Sequence, residues 1–218
     1  MRLASPALKP DNGPFPFQHK KTMNLDAWRH YLCARLFEKL NRPERATAEF
    51  RAALDFDPAF VRAVNGLAFF LASRGQDGEA ERWFREGLRL QPGNSMLHFN
   101  LGFILDRQGR REDAVTAFHE AVRLNPKLDR AWYGLGMACA HLGRHEEAAQ
   151  ALQEAATLQP MNAHAWYALG MAYHHSHNPD KVKEVVDHLF RFDPVMTRRL
   201  IQDAERADLA HLVQDLRV

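Results

Sequence analysis

Residues 129–162 read DRAWYGLGMACAHLGRHEEAAQALQEAATLQPMN, and residues 163–196 read AHAWYALGMAYHHSHNPDKVKEVVDHLFRFDPVM. Laid one over the other, Trp132 meets Trp166, Leu135-Gly136 meets Leu169-Gly170, and Pro160 meets Pro194. The 34-residue offset continues toward the N-terminus through Pro58, Pro92 and Pro126. Alanines recur at Ala46, Ala80, Ala114 and Ala148, with Val182 in the fifth place. Four positions later come Phe50, Phe84, Phe118, Leu152 and Val186. A large–small pair opens each unit: Cys33-Ala34, Leu67-Ala68, Leu101-Gly102, Leu135-Gly136, Leu169-Gly170. Several independent columns with one period identify a tandem repeat. The units fall at 27–60, 61–94, 95–128, 129–162 and 163–196.

The spacing resembles the tetratricopeptide repeat, whose pattern is W-x₂-L-G-x₂-Y…A-x₃-F…P. Trp132, Leu135, Gly136, Ala148, Leu152 and Pro160 carry the likeness in the fourth unit, and Trp166, Leu169, Gly170, Tyr173 and Pro194 in the fifth. The resemblance implies an all-α chain, a right-handed α-solenoid of helix–turn–helix units. It says little of function, because the motif residues are packing residues.

Each column has a physical reason. Gly or Ala lets the two helices of a unit approach closely, and the alanine on the second helix does the same from the other side. The Phe or Leu fills the space between units. Proline stops the second helix, since it cannot continue one. The turns LNRP, RGQD, QGRR and LGRH place Asn or Gly where a left-handed residue ends the first helix. The fifth turn, HHSHNPD, has no glycine, and Val182 replaces the alanine, so a looser or reoriented second helix is expected there. Stacked units need covered ends. Residues 197–218, with Leu200, Ile201, Leu209, Leu212, Val213 and Leu216, show a helical pattern and are expected to form a capping helix. Residues 1–26 contain four prolines and are expected to form an extended arm, with a short docked segment at Phe15-Pro16-Phe17.

In the family that the chain resembles, the first helix of each unit lines a concave face, with positions 2, 5, 9, 12 and 13 facing ligand. Position 5 reads Tyr31, Asn65, Phe99, Tyr133, Tyr167; position 9 reads Arg35, Phe69, Phe103, Met137, Met171; position 2 reads Trp28, Arg62, Met96, Arg130, His164. Tyr31, Asn65, Phe69, Phe99, Phe103, Arg130, Tyr133, Met137, Tyr167 and Met171 are therefore the expected partner-binding residues. Rigid aromatics and adaptable methionines suit an apolar or helical segment of a partner polypeptide. Phe69 and Phe103 fit cover by adjacent helices nearly as well; the tyrosine hydroxyls favour a wet groove edge. An acidic C-terminal peptide would need a Lys/Asn/Arg clamp. The best window, Asn65, Phe69, Asn100, Arg130 and Gly134, lacks two basic members. The asparagine ladder of sugar-transferase repeats is also absent, position 6 reading Leu32, Gly66, Asn100, Gly134, Ala168.

No nucleophile–base–orienter set or phosphate-cradling glycine loop stands out, so the chain is read as non-catalytic, without cofactor. Of the 12 histidines, His174, His175 and His177 cluster at a helix end, a weak metal candidate against the plainer reading of a solvated turn. Cys33 and Cys139 fall in core columns. The net charge is +2, and the arm carries all of it: four cations, Arg2, Lys9, Lys20 and Lys21, against Asp11 and Asp26. That leaves no basic field for nucleic acid. No apolar run reaches the ~20 residues of a bilayer span, and the proline-broken N-terminus lacks a secretory pattern. A cytoplasmic scaffold or adaptor is expected. The alternative is an assembly or regulatory subunit of a larger complex or homo-oligomer, docked through its arm or end repeats.

Overall fold

The structure is a computed structural model that describes residues 24–213. The described residues form eleven α-helices and a closing 3₁₀ helix. The first four units pair α1 (Leu25–Lys39) with α2 (Pro43–Phe56), α3 (Val61–Ser73) with α4 (Asp77–Leu90), α5 (Ser95–Arg107) with α6 (Arg111–Leu124), and α7 (Asp129–His141) with α8 (His145–Leu158). The fifth pairs α9 (Ala163–His175) with α10 (Pro179–Leu189); then come α11 (Pro194–Asp203) and the 3₁₀ helix Ala207–Val213. Successive first helices touch one another, α1 with α3 through to α7 with α9, whereas successive second helices make no contact of that extent. The first helices thus lie on the shorter, inner side of the curved stack.

Local chemistry sets the joints. Asn41, Gly75, Gly109, Gly143 and His177 all have φ between 52° and 80°. After each, a backbone N–H reaches back over the last turn: Arg42 to Phe37, Gln76 to Leu71, Arg110 to Leu105, Arg144 to Cys139, Asn178 to Tyr173. This is the six-to-one bond of a left-handed helix stop. Asn24, Asn94 and Asn162 each cap a first helix by accepting backbone N–H bonds.

The fifth turn has the same geometry as the others, but a histidine holds the left-handed place. Glycine adopts that conformation without the cost that a Cβ carries. His177→Gly is therefore expected to raise stability by about 1 kcal/mol, or ~2–4 °C in Tm for a chain of this size. A thermal melt that is unchanged or lower would refute it.

Phe118 shows how units interlock. It is 2% exposed. A Cβ at Gly102, in the same unit, would lie 2.9 Å from its Cδ1, and one at Gly134, in the next, 2.7 Å from its Cε1 and Cζ. Both glycines are there for close approach. Phe50 stands in the same relation to Gly66, at 2.7 Å, and Leu152 to Gly136, at 2.5 Å. In the fifth unit the corresponding residue is the shorter Val186. There Leu200 of α11 reaches Gly170 instead, 2.6 Å from where a Cβ would stand.

The C-terminal end departs from expectation. Instead of one helix across 197–218, α11 begins at Pro194, capped by Asp193, and ends at Asp203. Glu205 at φ 54° and the bond from Arg206 N–H to Ile201 repeat the left-handed stop, and the chain continues as a 3₁₀ turn. Pro194 thus opens a helix, whereas Pro58, Pro92, Pro126 and Pro160 follow one. The second helix of the fifth unit is shorter, 11 residues against 14 in the others. It is not loose, because Val182, Val185, Val186 and Leu189 are at most 3% exposed. Residues 1–23, including Phe15 and Phe17, and residues 214–218, including Leu216, lie outside the described residues.

Candidate functional site

Two adjoining hollows open between the first helices of the third, fourth and fifth units. The first, about 400 Å³, is walled by Phe99, Phe103, Arg130, Tyr133 and Met137, with Asp106 and His141 at its edge. The second, also about 400 Å³, is lined by Tyr133, Met137, Tyr167 and Met171, with His141, His164 and Arg199. Tyr133, Met137 and His141 belong to both, so the hollows form one continuous apolar groove.

Phe103 is 52% exposed, and the Arg107 guanidinium lies 5.6 Å from its ring centre. Arg107 itself is clamped, donating to the Asp77 carboxylate and, at 2.7 Å, to the Ala72 carbonyl. Of the two open readings for Phe103, cover by adjacent helices does not apply. The Tyr133 hydroxyl titrates above the usual phenol range because half-burial disfavours its anion. It therefore stays a neutral donor.

Seven of the ten residues expected from the repeat columns converge on this groove. The others do not line it. Tyr31 packs among Trp28, Phe50 and Phe60, with ring centres 5.4–6.1 Å away, and belongs to the packing of the first unit. Asn65 keeps its Oδ1 buried without a hydrogen-bond partner beside Gly87. Phe69 is 56% exposed on α3. Tyr167 is only partly a groove residue. Its hydroxyl donates to Asp203 at 2.6 Å, and Arg199 lies 5.0 Å from its ring, so α11 shares it.

Other groove residues come from signals the columns carried but that were not followed. Asp106 is position 12 of its unit, and His141 and His175 are position 13 of theirs. Met196, the last residue of the fifth unit, and Arg199, beyond the repeat, lie on α11, and none of the ligand-facing columns points to them.

The histidines form a ring cluster rather than a metal nest. His175 lies 4.9 Å from His145 and 5.1 Å from His174 between ring centres. Among the described residues no group of three or more His, Cys, Asp or Glu is arranged to hold a metal ion. His175 titrates below the usual imidazole range, through partial desolvation first and then the neighbouring His145, His174 and His177. The unfolded chain therefore takes up this proton at higher pH than the folded one. Stability is expected to fall as pH drops below the ordinary histidine range, and His175→Gln to lessen that fall. Melts of both proteins across pH 7.5 to 5 check it; equal acid sensitivity would count against it. Cys139 is 1% exposed, and burial pushes its thiol up, which suits a core residue.

A wider, shallower trough of about 920 Å³ lies elsewhere, over α5 between α4 and α6. Leu88, Leu101 and Leu105 line it, with His98 and Trp132 among the surrounding residues. Trp132 and Trp166 each donate an indole N–H at 2.9 Å to the carbonyl of the preceding repeat proline, Pro126 or Pro160. His98, in the same column, meets the Pro92 carbonyl through Nε2 at 2.9 Å. The smaller ring keeps the bond but fills less space than an indole.

Family models described as tetratricopeptide repeat match residues 31–95 and 99–163, and a further one matches 140–198. The chain belongs to the tetratricopeptide-repeat family. Among curated proteins, none matches the sequence. Among solved structures, the repeat protein is similar to YrrB, described as a TPR protein with an unusual peptide-binding site. Identity is 27% and the TM-score 0.70, over 83% of this chain and 92% of that one. It shares its fold with a MamA protein, at 17% identity and a TM-score of 0.70 over 90% and 99% of the two chains. It does so also with PilF of Pseudomonas aeruginosa, at 18% identity and 0.68 over 86% and 88%. No helix among the described residues is long and apolar enough to cross a membrane.

Proposed function

We propose that this repeat protein is a non-catalytic, cytoplasmic interaction scaffold that holds an apolar segment of a partner polypeptide in the groove of α5, α7 and α9. The continuity of the two hollows through Tyr133 and Met137 carries this reading. A string of half-buried aromatic and methionine side chains on one concave face, with Phe103 exposed, is costly to leave in water and suited to a helical or extended apolar ligand. Phe99, Phe103, Tyr133 and Tyr167 act as anchors, while Met137 and Met171 adapt to the ligand's shape. Arg130 and His141 at the edges orient its polar groups. The peptide-binding site named for YrrB is in keeping with such a role.

Peptides selected from a displayed random library against the full chain should carry apolar residues at spaced positions. Tyr133→Ala should weaken them by about 1–3 kcal/mol, roughly 5- to 150-fold in Kd. Binding that survives Tyr133→Ala and Met137→Ala but fails on changing Leu88 or Trp132 would move the site to the trough over α5.

A further inference from the structure

The two halves of the groove differ in charge. The first hollow sets Asp106 and Asp129 against Arg130 and His141. The second is lined by no Asp or Glu, and its basic groups are His141, His145, His164, His175 and Arg199. Two of these are already answered. The Arg199 Nε lies 3.4 Å from the Asp203 carboxylate, and His141 Nδ1 lies 3.9 Å from Asp106 Oδ1. Among the described residues the histidine ion pairs are that one and His30 with Glu49, so His145, His164 and His175 have none.

The charges that face His175 are imidazoles alone: His145 of α8, His174 of α9 and His177 of the following turn. Carboxylates on the elements packed against α9 act elsewhere. Glu147 of α8 acts on Cys139, Asp180 of α10 acts on Arg206, Glu184 of α10 pairs with Lys181 at 2.8 Å, and Asp203 of α11 holds Tyr167 and Arg199. His145 also keeps its Nδ1 buried without a hydrogen-bond partner, so a proton there finds no acceptor within the described residues.

The fixed cation of the second hollow is thus balanced, and its remaining positive charge belongs to groups that titrate near neutral pH. Above that range the hollow is uncharged, and a carboxylate entering it would lose water with no charge in return. Below that range a protonated imidazole offers it a charge-assisted hydrogen bond. The hollow shares Tyr133 and Met137 with the first, so a segment lying in the groove passes it.

Building on the groove reading above, we infer that the partner's apolar segment carries an Asp or Glu side chain, that this seats against His145 and His175, and that protonation of these imidazoles strengthens binding in mild acid. The sign follows from linkage. A carboxylate beside an imidazole raises the imidazole's pKa, so binding takes up a proton, and affinity rises as pH falls through the histidine range while the carboxylate stays ionised. One proton taken up limits the gain to about tenfold per pH unit.

A displayed random peptide library, selected against the full chain at pH 6 and at pH 7.5, supplies the probe; circular dichroism shows that the chain is folded at both. Peptides from the acid selection should carry Asp or Glu beside apolar residues. Their Kd should be about five- to tenfold lower at pH 6 than at pH 7.5. Replacing the peptide's Glu by Gln, or its Asp by Asn, should flatten that response, as should His145→Gln/His175→Gln in the protein. His175→Gln alone, at an exposed position, should reduce it. Peptides that depend on Tyr133 but lack acidic residues, or bind equally at both pH values, overturn the inference and leave the groove reading standing. A pH response that persists in His145→Gln/His175→Gln overturns it too. Binding indifferent to Tyr133→Ala overturns both.

Discussion

Replacing Phe118 by alanine is expected to cost about 3–5 kcal/mol. The ring is 2% exposed and wedged between Gly102 and Gly134. Neither glycine carries a side chain that could move into the space, so the cavity cannot collapse without sliding one helix against another. The loss strikes the joint between the third and fourth units. In a stack whose units contact only their neighbours, it should also divide the unfolding into two stages. A Tm lower by roughly 6–20 °C in a melt followed by circular dichroism is expected. Hydrogen exchange should rise most in α5 to α7. A loss under about 1 kcal/mol would mean that Phe118 is not the wedge its contacts describe. Because α5 and α7 bear most of the groove, peptide binding should weaken as well, although Phe118 is almost wholly buried.

The second large effect is the converse. Gly134→Val places a Cβ within 2.7 Å of the same ring. Overpacking of this kind costs about 1–3 kcal/mol, because the ring must leave its rotamer or the helices must part. The two changes share one volume, so they should not add. With alanine at position 118, the valine has space to occupy. The double variant is expected to be more stable than Phe118→Ala alone, with a coupling of roughly 1–3 kcal/mol. Simple additivity in chemical denaturation of the four proteins would show that glycine at 134 serves something other than the approach of Phe118. Gly134 also walls the first hollow of the groove, so the valine narrows the ligand site by its own bulk.

Most of the fold was legible because the repeat states it five times. The turn at His177 shows the limit of reading by residue type. Its geometry is that of Gly75 and Gly143, although the residue is one that leaves the left-handed region at a cost. The six-to-one bond from Asn178 to Tyr173 closes the turn around it, where sequence preference alone would not. The groove was partly legible. Columns 5 and 9 pointed to Phe99, Phe103, Tyr133, Met137, Tyr167 and Met171, and these converge. The same columns pointed to Tyr31, which packs on Phe50 and Phe60 instead, because the first unit's aromatic residues pack on one another.

The sequence by itself determined the period, the number of units, the helix stops at Asn41, Gly75, Gly109 and Gly143, and the close approach at the glycines. These are local or nearest-neighbour matters, and a residue's place in its own unit decides them. The tertiary structure alone decided what depends on a unit's particular neighbours. Leu200 takes over at Gly170 because Val186 is too short, and Asp203 claims the Tyr167 hydroxyl because α11 lies across the last unit. The trough over α5 lies beside His98, which takes the tryptophan's bond without its bulk. Leu25, Leu32 and Leu36 on α1 stand exposed because no helix precedes α1 among the described residues. Side-chain volume and the presence or absence of a neighbour are properties of the assembled stack, and no single column of the repeat records them.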